Sequence, residues 1–211
     1  MTSGAVYYLT HPEAVIYVVA SALLVPVLVF EVLAMVVVVV EAGRATVETL
    51  WRWRRRAIDG DDLAARVREA LAAGKAHEAG AALAAAFEGT MAASLPGLLG
   101  DLAVLDRVKA AKALDELELA VRKRLDRTRM LVRIGPMLGL MGTLIPISPA
   151  LVALAQGDVQ TLSDNLVIAF STTVVGLFVG GVAYVVSLSR ERSYDKDVSD
   201  VEYLLERLGL S

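Results

Sequence analysis

The sequence predicts an all-α, polytopic membrane protein whose three transmembrane helices extend into a cytoplasmic helical bundle. Three observations predict this fold. First, the 211 residues are 56% hydrophobic and only 21% charged, which is more apolar than an ordinary soluble protein of this length. Second, three segments are long and apolar enough to cross a hydrocarbon core of ~30 Å. Third, Arg and Lys gather at one end of each segment, which indicates a fixed orientation.

The first transmembrane helix is predicted over residues 14–40, after a short external segment at residues 1–13. Its roughly 27 residues would cover about 40 Å as a helix, which is more than the ~30 Å core requires. The second and third spans are predicted over residues 134–155 and 162–188, joined by an external turn at residues 156–161. Each of these two spans is also long enough to cross the bilayer alone.

Basic residues predict the orientation of the spans. No Lys or Arg precedes Arg44, whereas basic clusters follow the first span and precede the second. Arg190 and Arg192 follow the third span, and the turn at residues 156–161 contains no basic residue. Because basic residues favour the cytoplasmic side, the N-terminus is expected outside. Residues 41–133 and the C-terminal helix at residues 189–211 are expected inside.

The cytoplasmic segments carry two helical apolar stripes, with repeats of three and four residues that are typical of a helix packed on one face. The first stripe consists of Val104, Val108, Ala111, Leu114, Leu117, Val121 and Leu125, and the second of Tyr194, Val198, Val201, Leu205 and Leu208. Since no helix breaker separates either stripe from its span, the membrane helices are expected to project into the cytoplasm as a bundle.

A cluster of Trp and Arg at residues 51–56 follows the first span. Such a cluster could bind nucleic acid, but directly after a membrane span it favours an anchor in the headgroup zone. No nucleic-acid partner is therefore expected, and the lipid bilayer is the expected surroundings.

Several classes of function are disfavoured by composition. The chain has no Cys, so disulfides, iron–sulfur clusters and thiolate zinc sites are excluded. Only His11 and His77 could offer an imidazole ligand, and they lie in different regions. No nucleophile–base set or phosphate-binding loop occurs, so no catalytic residue, metal site or cofactor is predicted, and the protein is not expected to be an enzyme.

Hydroxyl groups occur in the second and third spans where lipid would favour Leu. Thr143 lies in the second span, and Ser171, Thr172 and Thr173 lie together in the third, although neither span contains Lys or Arg after residue 133. Polar groups at this depth cost free energy unless they are partnered or hydrated. The two spans are therefore expected to line something other than lipid.

The motifs Gly-Leu-Met-Gly-Thr at residues 139–143 and Thr-Thr-Val-Val-Gly-Leu at residues 172–177 resemble those of the MotA/TolQ/ExbB proton-channel family. Three spans are similar to the TolQ and ExbB branch, since MotA has four. The resemblance implies a multi-pass protein of a prokaryotic cell membrane, without cofactors. It also implies a homopentamer around a central pore, which holds a dimer of single-span ExbD-, TolR- or MotB-like partner subunits. Flow of protons, or in some members sodium ions, would drive motion, and the ion-binding aspartate would belong to the partner.

The resemblance assigns roles to a few residues. Thr143 matches the Thr of the second-span motif, and Thr173 matches the Thr that precedes Gly-Leu in the third. Many TolQ- and ExbB-like members also have a Glu five residues before that third-span Thr, where this chain has Ile168. Asp164 and Asn165 lie about one turn closer to the outside and are candidate substitutes in the ion pathway.

Depth estimates place the two motif threonines at a similar level. Thr143 is nine residues from the inner end of its span, or roughly 13 Å, and Thr173 is eleven residues from the outer end of its own, or roughly 16 Å. In a core of ~30 Å these depths nearly coincide. We therefore expect Thr143 and Thr173 side by side near mid-membrane, where a five-fold ring of hydroxyls could serve a carboxylate on a central helix.

The threonines, glycines and prolines of the second and third spans also have structural interpretations. A membrane Thr often donates to a backbone carbonyl of its own helix, and closely spaced glycines more often mean helix packing than a site. We accept packing for Gly135, Gly139, Gly142, Gly176 and Gly180. Pro146 and Pro149 are expected to bend the second span rather than to bind an ion.

The carboxyl groups of Glu31 and Asp164 each have more than one interpretation. Glu31, the one ionisable residue well inside the first span, is either buried against another helix, in contact with inner-leaflet water, or part of a proton exit route. Asp164 either caps the third helix together with Ser163 or attracts cations at the outer mouth.

At the level of the whole protein, an ion-channel subunit of a motor complex is the leading hypothesis. A non-conducting scaffold of the same fold is the alternative, and a small-solute transporter is disfavoured because no inverted repeat is evident.

Overall fold

The computed structural model describes residues 12–53, 60–91 and 107–209. Throughout these residues the regular structure is helical, which confirms the all-α prediction there. The helices are α1 (Pro12–Ala22), α2 (Leu24–Trp53), α3 (Gly60–Ala72), α4 (Ala76–Phe87), α5 (Arg107–Ala155) and α6 (Val159–Leu208). The predicted external segment up to residue 11, residues 54–56 of the Trp-Arg cluster and Val104 of the first stripe lie outside the described residues.

Three stretches are long and apolar enough to cross a membrane, namely Val15–Arg52, Arg107–Ala155 and Val159–Leu208. The chain is therefore a multi-pass membrane protein. Two of these helices continue without a break far beyond the predicted spans, as the absence of helix breakers indicated. The described residues form two compact units. The membrane unit comprises residues up to 42 and 128–185, and the second unit comprises residues 43–127 and from 186 onwards.

The first span is interrupted at Leu23, between α1 and α2. The cause lies three residues later, because Pro26 has no N–H to donate to the carbonyl group of Ala22. The Leu23 amide is shared between the carbonyl oxygens of Val19 and Ala20, at 3.2 and 3.1 Å. The chain resumes helical geometry at once, so the interruption is one residue long. The sequence prediction of a single helix overlooked this proline.

The core of the membrane unit is formed by small and branched side chains of α2 and α6. Ala34 and Val38 of α2 pack in one cluster with Val179 and Ala183 of α6. Glu31 lies on the same face of α2, one turn before Ala34, and is also buried. The second span contributes to this core as well, through partly buried Leu131, Val132 and Leu138.

Helix α5 runs through Pro136, Pro146 and Pro149 without ending. Membrane helices tolerate proline because neighbouring groups satisfy the carbonyls that it frees. Pro136 also has a packing role, since a Cβ added to Gly180 would lie 2.9 Å from its ring. The prolines therefore do not divide the second span.

The turn between α5 and α6 is tighter than predicted. It is made by Gln156, Gly157 and Asp158, with Gly157 at φ +74°, and α6 begins at Val159. Asp158 closes the start of α6, because its carboxylate accepts hydrogen bonds from the backbone N–H and the hydroxyl of Thr161 at 3.1 and 2.6 Å. These bonds lower the pKa of Asp158. The interpretation of Asp164 as the cap is therefore wrong.

The second unit has an apolar core to which four helices contribute. Its largest buried side chains are Leu83 and Phe87 of α4, Leu117 of α5, and Tyr194 and Leu204 of α6. From α3, Leu63 and Val67 complete the core. The predicted C-terminal stripe lies in this core, with Tyr194, Val201 and Leu205 buried and Val198 and Leu208 partly buried.

The predicted stripe of α5 is wrong at its first described residues. Val108 is 79% exposed and Ala111 is exposed, whereas Ala110 and Ala113 are buried. From Leu114 onward the prediction agrees with the structure, since Leu117, Val121 and Leu125 are buried. The packed face begins with alanines, which allow close approach of neighbouring helices. A stripe chosen by apolar bulk therefore placed Val108 on the wrong side.

Candidate functional site

The second and third spans approach each other closely through glycines. A Cβ atom added to Gly176 would lie 2.7 Å from the Cα of Gly139 and 2.7 Å from the carbonyl oxygen of Gly135. One added to Gly135 would lie 2.8 Å from the backbone nitrogen of Gly180. These distances are shorter than real Cβ contacts, so a larger residue would force the helices apart. The glycines interpreted as packing residues thus lie at one helix contact.

A hydroxyl-bearing side chain lies at the same contact. A Cβ atom on Gly142 would lie 2.6 Å from the Cβ and 2.7 Å from the Oγ1 of Thr172. Thr172 is buried, with 5% of its surface exposed. Because the two helices are antiparallel, placing Gly142 level with Thr172 places Thr143 level with residue 171. Thr173 is then two residues, or about 3 Å of helix rise, from the level of Thr143. Thr172 is therefore the hydroxyl-bearing side chain that contacts Gly142 across the two spans, whereas the sequence prediction paired Thr143 with Thr173.

All four hydroxyls donate to their own helix. Thr143 donates to the carbonyl oxygen of Leu140 at 2.7 Å, and Ser171 donates to that of Val167 at 2.7 Å. Thr172 and Thr173 both donate to the carbonyl oxygen of Ala169, at 2.9 and 3.2 Å. Each hydroxyl oxygen keeps lone pairs that can accept a further hydrogen bond from a protonated carboxyl group or water. The arrangement can therefore serve a proton carrier without binding the proton itself.

Glu31 lies inside the membrane unit against the third span. Only 3% of its surface is exposed, and the backbone amide of Gly176 lies next to its carboxyl group. Its Oε1 atom has no hydrogen-bond partner among the described residues. Gly176 is three residues beyond Thr173, or about 4.5 Å along α6. The structure thus places Glu31, Thr172 and Thr173 within about one helical turn of each other along the axis of α6.

Asp164 and Asn165 lie apart from this group. Asp164 accepts a hydrogen bond from the side-chain amide of Gln160 at 3.0 Å, and Asn165 donates to the carbonyl oxygen of Thr161 at 2.8 Å. Asp164 is nine residues from Thr173, or about 13 Å of helix rise. Both side chains are satisfied near the turn between α5 and α6. The candidate pathway residues therefore fall into two groups, one near the turn and one at the glycine contact.

Polar and charged side chains from three helices meet in the second unit, and the sequence analysis did not predict this. We call this group the polar network, and its members are Glu48, Arg52, Arg124, Arg190, Tyr194 and Asp197. Its first centre is the carboxylate of Glu48, which is 3.1 Å from Arg124 Nη2, 3.5 Å from Arg190 Nε and 3.3 Å from the hydroxyl oxygen of Tyr194. Arg190 is almost fully buried, with 4% of its surface exposed.

The second centre of the polar network is the carboxylate of Asp197. Arg52 binds it with two parallel hydrogen bonds of 2.8 and 2.6 Å, and the backbone N–H of Met91 donates a third at 2.9 Å. The hydrogen bond to Asp197 raises the pKa of the Arg52 guanidinium. Arg52 also lies 5.9 Å from the ring centroid of Tyr194. Arg52 is therefore an ion-pair partner rather than a free headgroup anchor.

The helical period of α6 contains a sequence signal for two members of the polar network. Arg190 and Asp197 lie in phase with the buried stripe of Tyr194 and Val201, at steps of four and three residues. Charged residues on a buried face require partners of opposite charge. The period could therefore have identified them as buried, although it could not have named Arg52 or Glu48 as their partners.

Comparison with known proteins gives one family match. Residues 100–202 match the family model described as the MotA/TolQ/ExbB proton channel family. No curated protein and no solved structure shows significant similarity to the chain. The matched region contains all of α5 and most of α6, including the glycine contact, Thr143, Thr172 and Thr173. Both motifs lie inside the matched residues, so the resemblance noted in them is confirmed. Through this segment, from residue 100 to residue 202, the chain is similar to the MotA/TolQ/ExbB proton channel family.

Proposed function

We propose that this chain is a proton-channel subunit of a motor complex in a prokaryotic cell membrane. Five copies would surround a central pore, and a dimer of single-span ExbD-, TolR- or MotB-like subunits would occupy it. The family match to α5 and α6 supports this proposal. The observation that carries it is the close contact of these helices through glycines, with the hydroxyl-bearing side chain of Thr172 at the same contact. Proton flow would move the partner relative to the ring.

In this proposal Thr143, Thr172 and Thr173 serve the partner's carboxyl group. A Thr hydroxyl accepts a hydrogen bond without titrating in the physiological range, so the titrating group comes from the partner. Asp164 and Asn165 would receive ions or water near the turn, and Glu31 would lie on the exit side. The N-out, C-in orientation follows from the distribution of basic residues.

The substitution Thr173→Val tests the hydroxyl role. Valine keeps the volume and removes the hydroxyl, so proton flux in proteoliposomes containing the partner should be abolished while the oligomer remains. Thr143→Val should weaken flux less. Thr49→Val is a matched control, because Thr49 also donates to its own helix, at 2.8 Å to Ala45, but lies in the second unit. Unchanged flux in Thr173→Val would reject the proposed role, and loss of the oligomer would indicate packing instead.

Two further measurements test the assembly. Native mass spectrometry of the extracted protein should give a homopentamer, and a stable monomer would contradict the proposal. Proteoliposomes with this chain alone should hold a pH gradient, because the second and third spans are otherwise largely apolar and an empty apolar pore excludes water. Adding the partner should allow dissipation. A large steady current from the lone chain would show that its own carboxyl groups complete a path.

The alternative function is a non-conducting pentameric scaffold of the same fold. Two observations favour it: Ile168 stands where many relatives have Glu, and every hydroxyl of the site is already bonded to its own helix. A scaffold would bind the partner without partner-dependent flux. The flux of the unsubstituted complex therefore distinguishes the two functions.

A further inference from the structure

Glu31 is buried without a counter-charge. Its carboxyl group lies in the membrane unit next to the Gly176 amide, and Oε1 lacks a hydrogen-bond partner in the part of the chain that the structure describes. An ionised carboxylate buried in apolar surroundings is costly unless a cation and several donors satisfy it. A neutral, protonated carboxyl group avoids most of this cost. An ionised Glu31 would therefore require a compensating charge nearby.

No such charge lies close along the first span. On the first span the nearest titratable residues, Tyr17 and Glu41, are 14 and 10 positions from Glu31, or about 21 and 15 Å of helix rise. Neither side chain is a cation. The only cationic residue types in the described membrane unit are Arg129 and Arg133, both on α5.

The other two helices give the same result. On α6, Asp164 and Tyr184 are 12 and 8 positions from Gly176, or about 18 and 12 Å of rise. On α5, Gly135 and Gly139 both contact Gly176, and Arg133 lies two and six positions before them, or about 3 and 9 Å of rise. Arg133 is, however, exposed rather than directed into the contact. Glu31 is thus accompanied by helix backbone and hydroxyl groups instead of charges.

The position of Glu31 gives it a route for proton exchange. The carboxyl group of Glu31 lies at the backbone N–H of Gly176, a residue that α5 also contacts through Gly135 and Gly139. Thr172, whose oxygen can accept a hydrogen bond from a protonated carboxyl group, is one turn away on the same helix. The three spans therefore meet at a carboxyl group.

We propose that Glu31 is a proton-binding site of this chain itself, which carries a proton at the contact with Gly176 and exchanges it with the conduction route. Its use in conduction rests on the proposed function, whereas proton binding does not. The complex would then contain two kinds of protonatable carboxyl group, one on the central partner and one on each surrounding subunit.

Infrared spectroscopy of the chain alone in lipid tests proton binding. At neutral pH the C=O stretching band of a protonated carboxyl group should be present, shift in deuterated water and be lost in Glu31→Gln. Glu41→Gln is the matched control, with the same substitution on the same helix, and should keep the band. Absence of the band in the unsubstituted protein, or a band that does not exchange in deuterated water, would overturn the proposal.

Flux separates this inference from the proposed function. In proteoliposomes with the partner, Glu31→Gln should reduce proton flux strongly, while Glu41→Gln should not. Unchanged flux in Glu31→Gln, with a conducting unsubstituted complex, would overturn the role of Glu31 and leave the proposed function intact. If the unsubstituted complex does not conduct, the proposed function fails. The infrared result then still decides whether Glu31 binds an exchangeable proton.

Discussion

Removing Arg52 should destabilise the second unit strongly. Asp197 has 3% of its side chain exposed and receives two hydrogen bonds from Arg52. In Arg52→Ala, the one donor that the buried carboxylate keeps among the described residues is the Met91 backbone N–H. Removing one partner of a buried ion pair costs about 3–5 kcal/mol. Because the Arg52 side chain is 21% exposed and the Met91 donor remains, we expect a loss of about 3 kcal/mol, at the low end of that range.

The assay is urea-induced unfolding in detergent, followed by circular dichroism and by the fluorescence of Trp51 and Trp53, the chain's two tryptophans. With a urea dependence of about 1–3 kcal/mol per M, a loss of ~3 kcal/mol lowers the midpoint by about 1–3 M. The control is Arg66→Ala, which breaks an exposed pair with Asp62, where 69% and 55% of the side chains are accessible. Exposed pairs of this kind contribute about 0.5 kcal/mol or less.

Two outcomes decide the interpretation of the pair. A midpoint shift in Arg52→Ala no larger than that in Arg66→Ala would refute the buried ion pair. Replacing both partners, as Arg52→Met with Asp197→Leu, should recover much of the loss, because no unpaired charge then remains. A double variant as unstable as the sum of its single changes would show that the two residues do not act on each other.

Three further predictions follow from the same structure. Gly176→Ala should destabilise the membrane unit by about 1–3 kcal/mol because its Cβ would clash with backbone atoms of α5, whereas Gly181→Ala, with nothing within 4 Å, should be tolerated in thermal unfolding. Burial raises the pKa of Asp200 above its ordinary value of 3.8, so ionisation weakens the folded state as pH rises through the raised pKa. Asp200→Asn should therefore increase the urea midpoint at neutral pH and leave it unchanged below pH 3.8. Burial also raises the pKa of Tyr194, so stability should fall as pH rises above the unfolded value near 10. Tyr194→Phe should reduce that fall, and an identical pH profile would contradict it.

The sequence by itself determined the architecture of this protein. Hydropathy and length identify the three spans, because a bilayer requires about 20 consecutive apolar residues in a helix. The absence of helix breakers between residue 107 and Gly135, and between the third span and the C-terminal stripe, indicated the long helices α5 and α6. Two short motifs around Thr143 and Thr173 were sufficient to indicate the family, since they combine glycines with hydroxyls in segments that otherwise favour lipid.

Tertiary structure decided which side chains meet. Arg52 and Asp197 are 145 residues apart, and no local pattern specifies that one is the partner of the other. The contact of Glu31 with Gly176 likewise depends on the relative register of α2 and α6. Helical period fixes the face on which a residue lies but not the level of the neighbouring helix that it contacts. The sequence was therefore sufficient to place Glu31 inside the membrane. Only the packing of the helices showed that Gly176 lies beside it.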